Sequence, residues 1–370
     1  HIISPTEVTH LLEFNKITQK NELNRLGYNT IKAKEIDFNN LQNLEKWENK
    51  KVLKLVKSDI GLNIPTWYAI TGDYHLILNF LEHINYYYRF PRAIMEDYIE
   101  CWEYSIASFF DGDSFIEFGV LYNRGKKSNE NEKGILYEED IYNAGFILPI
   151  SEPVFNDLQS LTPYLHKLNY RGFVGLDILI RKWDKKKFIN SINFTMRNPI
   201  IFAVLLIIHK EKGINNLLAR LTGINKNPIP ISDYVFLSMN FFTPDASWYY
   251  LSRHFLNDDL LEGSLLYSYL PFNFDKAEYL TNPRETGIFT NAYWNSEDKE
   301  LTPITPFAFN ISAYSHILSN ALKSITDNKK HLNIDLIWTR FDMLNQFNNW
   351  TDIMIMLGLL KKEYRDKIIK

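Results

Sequence analysis

The sequence predicts a mixed α/β (α+β) fold, and three stretches carry that expectation. Residues 170–208 read as a β-hairpin feeding a buried helix. The first strand is the β-branched and apolar run 173–180, the turn is charged (Trp183 to Lys187), the second strand is 188–196, and Pro199 opens an apolar run to Ile208. Residues 23–28 read as a helix stopped at Gly27, followed by a short strand over 29–33. Residues 154–168 read as one amphipathic helix leading back into the hairpin.

The hairpin also carries the densest chemistry. Asp177 lies inside its first strand, and Asn193, Thr195 and Arg197 lie on or just after the second. Side chains alternate along a strand, so those three share a face. An acid on one strand facing oxygen ligands on its partner can hold a hard cation such as Mg²⁺. The same letters also fit a hairpin with one polar side turned to solvent.

Composition narrows the classes. The chain has 370 residues, enough for two or three lobes, and a formal net charge of −3 with no basic stretch of the kind that tracks nucleic acid. Its one cysteine, Cys101, excludes a disulfide framework and a thiolate metal cluster and points to a reducing compartment, the cytoplasm. The longest apolar run, 199–208, is half of the roughly 20 residues a membrane-spanning helix needs. No leader pattern is visible at the first residues.

Two motifs in order carry a resemblance. Tyr170-Arg-Gly-Phe-Val-Gly-Leu-Asp177, with Asn193-Phe-Thr-Met-Arg197 and Pro199, resembles the end of an ATP-grasp catalytic domain, most closely that of the phosphoribosylamine–glycine ligase family. Ile94, Glu96, Tyr98, Ile99, Cys101 and Glu103 resemble that family's apolar–acid–x–aromatic–Ile–x–Gly–x–Glu pattern, with Cys101 where glycine is usual. The resemblance implies ATP and Mg²⁺ as cofactors and a nucleotide and small molecules as partners, with no nucleic acid and no membrane. It makes Asp177 the first metal acid, puts Asn193 in the place of the second metal Glu and Thr195 in that of the usual Asn, and gives Arg197 the catalytic role of orienting phosphate. The backbone from Glu96 through Tyr98 and Ile99 would line the adenine slot, and Glu103 would meet the ribose. A strand edge with acids at alternating positions explains the second pattern without a nucleotide.

The remaining chain fits this frame unevenly. Residues 45–60 read as a helix from the stripe Val52, Leu55, Val56, with Lys51 or Lys54 as the lysine that reaches phosphate in the family; the plain alternative is a solvated helix face. Residues 71–89 offer only a helix-like stretch, 74–84, and the tyrosines 86–88, where the family has a small lobe with a Gly-rich loop. Residues 111–114 read as a hairpin turn, 115–121 as the returning strand, 124–131 as a polar loop, and Asn143-Ala-Gly145 as the remnant of a Gly-rich substrate turn. Further on, 309–312 reads as a closing strand, 314–325 as a helix, and Trp338-Thr-Arg-Phe-Asp342 as the family's ending. The expected parts are a truncated α/β segment over 1–65, an ATP-grasp-like domain over 66–222 with a reduced small lobe, a β-rich C-terminal lobe over 223–335, and a tail with a helix over 336–370. The hairpin, the Glu96 strand and the strands over 109–121 are expected in one antiparallel sheet.

Two functions follow from these expectations. One is a carboxylate–amine ligase that forms an acyl phosphate from ATP, with a degenerate site. The other is a non-catalytic descendant kept for binding, assembly or a protein partner. The neutral Asn193 and the missing Gly-rich loop lead to an expectation of weak or absent turnover.

Overall fold

A computed structural model describes residues 6–43, 50–56, 67–69, 75, 78, 81–82, 92–126, 135–137, 140–194, 200–230, 233–242, 286–290, 292–295, 300–303, 307–329 and 343–369. The sequence motifs at 86–88, 195–199 and 338–342 lie outside these residues, and Thr195 and Arg197 with them.

The described chain begins with helices α1 (Glu7–Phe14) and α2 (Lys16–Arg25). Asn15 joins them: its side chain accepts from the N–H groups of Ile17 and Thr18, which the first turn of α2 leaves unpaired. At the other end Gly27 takes φ +88°, and the Tyr28 N–H reaches the Leu23 carbonyl, so the helix stops where the glycine predicts.

Strands β1 (Ala33–Glu35), β2 (Lys51–Val56), β3 (Trp67–Ala69) and β4 (Arg92–Asp97) follow. The order β1-β4-β2 makes a three-stranded antiparallel sheet. Two expectations are corrected by this sheet. Residues 51–56 are strand, not helix: a short run with Val52, Leu55 and Val56 fits either period, and pairing with β4 decides between them. The Glu96 strand belongs to this small sheet, not to the sheet of the hairpin.

The chain then runs through β5 (Cys101–Phe110), β6 (Phe118–Lys126), β7 (Ile135–Tyr137), which pairs with β3, and β8 (Asp140–Pro149). Asp111 builds the β5–β6 turn by accepting from the N–H groups of Asp113 and Ser114, with Gly112 at φ +100°. Asn143 and Gly145 sit inside β8, not in a turn; a Cβ at Gly145 would lie 2.2 Å from the Leu121 carbonyl oxygen. The helix expected over 154–168 is split into α3 (Asn156–Gln159) and α4 (Thr162–Lys167), because Pro163 starts a second helix rather than continuing the first. The expected hairpin forms as β9 (Gly172–Arg181) and β10 (Lys187–Asn193), and the expected helix as α5 (Ile200–Lys210).

Helix α6 (Ile214–Leu221) leads to β11 (Val235–Phe242), β12 (Thr286–Thr290), β13 (Ala292–Asn295), β14 (Glu300–Pro303) and β15 (Phe307–Ser315), then to helices α7 (Leu318–Lys329), α8 (Met343–Met356) and α9 (Asp366–Ile369). An eight-stranded sheet has the order β10-β9-β5-β6-β8-β11-β15-β12, all neighbours antiparallel. One face, with Tyr104, Phe146, Leu176 and Leu237, packs on α3, α4, α7, α8 and α9. The other, with Phe109, Phe173, Phe236 and Tyr314, packs on α5 and α6. Helix α8 is tied across the first face by a Phe347–Phe146 stack at 5.5 Å and by the Trp350 indole donating to the Glu103 carbonyl at 2.9 Å.

Candidate functional site

Strand register brings a polar group together on the α5 side of the large sheet. Ser105 of β5 and Ser191 of β10 lie directly across from Asp177 of β9, and Asn193 lies one pair further along the same face. Ser105 pairs with Tyr122 on β6, so Arg124, two residues on, faces the same way. These neighbours converge on one carboxylate. Asp177 Oδ1 accepts from the Ser105 hydroxyl at 2.6 Å, and Oδ2 accepts from Arg124 Nη1 at 3.0 Å and Asn193 Nδ2 at 3.1 Å. The Ser191 hydroxyl also closes on Oδ2. Asp177 is 2% exposed. Burial alone would raise its pKa, but the Arg124 guanidinium and the three neutral donors outweigh burial and hold it at about 2.

A second cluster lies on the small sheet. Glu96, 1% exposed, is gripped by Lys20 of α2 and Lys54 of β2, each ammonium 2.9 Å from a different carboxylate oxygen. Burial opposes its ionisation, and the two ammonium groups more than offset that, so its pKa falls below the usual carboxylate range. The β10 register shifts between Ile189 and Ser191, and the Asn190 side chain there accepts from Lys54 Nζ at 2.8 Å. Lys54 therefore bridges the two sheets. Helix α2 bridges them too: Gln19 donates to the Ile192 carbonyl at 2.8 Å while Lys20 holds Glu96. Lys16, on the same helix, feels Lys54, Asp177, Glu13 and Glu96; burial, then Lys54, pushes its pKa down to about 8.

Residues 98–100 connect the sheets. The Tyr98 N–H donates to the Lys50 carbonyl at 3.2 Å, and the Lys50 ammonium lies 5.6 Å from the Tyr98 ring centre. Ile99 and Cys101 pack against Ile31, Leu179 and Phe188. Glu103 shares its face with Ser105.

The structure thus gathers Lys54, Glu96, Tyr98, Ile99, Glu103, Asp177 and Asn193 along the joint between the sheets. Lys51 is elsewhere: it projects from the other face of β2 and pairs with Asp97 at the rim. Sequence reading missed Ser105 and Ser191, for which period-two spacing from Glu103 and Asn193 was the only signal. It also put Arg124 at the start of a loop, whereas β6 continues to Lys126.

Among the described residues, this donor set as arranged does not fit a divalent ion. Mg²⁺ takes oxygen lone pairs in near-octahedral geometry. The one carboxylate here accepts four hydrogen bonds, one of them from a guanidinium, and Asn193 turns its NH₂ toward it. Among the described residues no group of three or more His, Cys, Asp or Glu is placed to hold a metal.

The described fold superposes on a group of solved structures. Phosphoribosylamine–glycine ligase of Thermotoga maritima superposes with a TM-score of 0.64 at 14% identity, over 92% of this chain and 81% of its own. This chain has the ATP-grasp fold. The L-amino acid ligase of Bacillus licheniformis matches at TM-score 0.51 and 13% identity, over 88% of this chain and 72% of its own. The biotin carboxylase domain of Hydrogenobacter thermophilus 2-oxoglutarate carboxylase, solved with MgADP, ADP and bicarbonate, matches at 0.53 and 10%, over 98% and 75%. No protein-family pattern matches the sequence, and no curated protein does. Among the described residues, no helix is long and apolar enough to cross a membrane.

Proposed function

We propose that this chain binds ATP at the joint between its two sheets, on a scaffold of the carboxylate–amine ligase kind. The observation that carries the reading is Lys54, held by Glu96 and Asn190 at the joint between the two sheets. A lysine fixed by two partners presents its charge with little further loss of side-chain freedom. In this reading Lys54 meets phosphate oxygens, the backbone at Tyr98 and Ile99 lines the base, and Glu103 meets the ribose. In the reaction the resemblance implies, a carboxylate oxygen bonds to the γ-phosphorus and ADP leaves; an amine then attacks the acyl carbon and phosphate leaves. Positioning and charge stabilisation carry most of such catalysis. The chain's own contribution would be Lys54 and Arg124 orienting the transferring group, a role the resemblance also gives to Arg197.

Calorimetric titration with ATP tests the nucleotide reading. Saturable binding by the wild type, weakened tenfold or more in Lys54→Met with the far-UV spectrum unchanged, is the expected result. Absence of saturable binding by the wild type overturns it.

A non-catalytic reading is favoured by one observation, the complete hydrogen bonding of Asp177. On that reading phosphate release with ATP, glycine and phosphoribosylamine stays far below the ordinary range of about 1–10³ s⁻¹. Turnover inside that range, abolished in Asp177→Ala, makes the chain a working ligase instead.

A further inference from the structure

We infer that the large sheet binds a neutral primary carboxamide beyond Arg124, and that Asn143 of β8 is the side chain that takes it. The inference rests on the proposed ligase-type reading and deepens it by naming a substrate class, a small molecule that carries a carboxamide.

The first support is Asn143 itself. It is 0% exposed, and neither its Nδ2 nor its Oδ1 has a hydrogen-bond partner among the described residues. A buried amide gives up its bonds to water, and leaving both of its polar atoms unanswered is costly. Such a group in a folded chain calls for a partner.

The second support is where the strands put it. Asn143 lies directly across from Arg124 of β6 on one side and Ser238 of β11 on the other, on the face that α5 covers. Both neighbours are engaged elsewhere. Arg124 donates to Asp177, and the Ser238 hydroxyl is taken up with Asn310 and Ser312 of β15. Asn310 in turn donates to Asn240 at 2.7 Å. Helix α5 packs against β11, β15 and β12, and residues 200–208 are apolar throughout, so it supplies no side-chain partner. The Arg124 side chain is 21% exposed, so the row meets solvent one strand, about 4.8 Å, away from Asn143.

The third support is charge. Glu103, Asp177 and Arg124 stand on β5, β9 and β6. From β8 onward the described row is neutral, with Asn143, Ser238, Asn240, Asn310 and Ser312. A carboxylate or an ammonium group buried there would find no counter-charge. Asn143 offers one donor nitrogen beside one acceptor oxygen. A primary carboxamide meets both with two parallel hydrogen bonds, whereas a carboxylate brings only acceptors and an ammonium only donors.

The experiment is an NMR titration of the full isotope-labelled chain with acetamide, in the absence of nucleotide. Acetate, methylammonium and N,N-dimethylacetamide are the controls. The expected result is saturable shifts with acetamide, weakened about tenfold or more in Asn143→Leu, which keeps the shape and removes both polar atoms. Dimethylacetamide cannot donate and should bind the wild type as weakly; this arm carries the test if the variant fails to fold. Acetate, methylammonium or dimethylacetamide binding as tightly as acetamide overturns the inference. Acetamide binding unchanged in a folded Asn143→Leu also overturns it. So does the lack of any saturable acetamide response, water then answering the amide; if ATP still binds in calorimetry, the nucleotide reading stands. Acetamide binding without ATP binding removes the nucleotide reading and, with it, the carboxamide's role as substrate.

Discussion

Ser191 lies directly across the hairpin from Asp177, and its hydroxyl closes on the same carboxylate oxygen that Arg124 and Asn193 reach. The pair shows how the acid of this hairpin is used. It is an anchor for donors from three neighbouring strands, and its charge is already answered inside the protein.

Acid should therefore weaken the fold through Asp177. Its folded pKa, about 2, lies below the ordinary 3.8, so the unfolded chain takes up the proton first as pH falls. The stabilisation is fully present above about pH 4 and is lost as pH falls through about 2. Holding the carboxyl down at about 2 corresponds to about 2 kcal/mol. Urea unfolding between pH 5 and pH 2 should show that loss in the wild type. Asp177→Asn should be less stable at pH 5 and flatter across the window; parallel curves for the two proteins would contradict the assignment.

Asn193→Glu should convert the metal response. It sets a second carboxylate beside Asp177, which supplies the charge a divalent ion needs. Mg²⁺ should then tighten ADP binding about tenfold or more, while metal-free binding falls. An affinity that ignores Mg²⁺ in this variant would show that position 193 does not reach the ligand.

Nucleotide binding should also fall with alkali. Burial and Lys54 hold the Lys16 pKa near 8, so its charge is present at pH 7 and mostly gone at pH 9. The same lowered pKa means that the unfolded chain holds more protons between about pH 8 and 10.5, so this lysine adds stability as pH rises there. ADP affinity at pH 9 should be several-fold weaker than at pH 7, and Lys16→Met should lessen that decline. An undiminished pH response in the variant would assign it to another group.

Away from the joint, Asp111→Ala should destabilise the fold more than Lys16→Met or Asn193→Glu does. Arg220 donates to Asp111 at 2.7 Å and also pairs with Glu117, and both Arg220 and Asp111 are buried. Losing Asp111 leaves the buried guanidinium only Glu117, which is 45% exposed, and breaking a buried pair costs about 3–5 kcal/mol. The carboxylate also caps the N–H groups of Asp113 and Ser114, which adds to the loss. A urea midpoint unchanged within error would show that the turn holds without it.

The hairpin and its following helix were legible because Phe173 to Ile180 and Ile200 to Ile208 state their periods over long runs. Asp177 stood out as a lone acid inside such a run. The strand at 51–56 was not legible, because six residues with this mix of Lys, Val and Leu satisfy helix and strand alike, and only β4 distinguishes them. Arg124 was misplaced because Asn123, Arg124 and Gly125 look like loop composition; what makes them strand is the register with Asn143 and its neighbours on β8, which no local pattern encodes. Ser105 and Ser191 carry no signal of their own in sequence, since a serine on a strand becomes informative only when its partner across the sheet is known.

Helix α2 gives the molecule a clasp. Gln19 grips the β10 backbone and Lys20 grips Glu96 on β4, so one turn of helix is fastened to both sheets. Parting the two sheets means breaking a buried amide contact or a buried ion pair, and neither yields to ordinary thermal rattling. On the proposed nucleotide reading, exchange at the joint would wait on that clasp, and the first helices would time it.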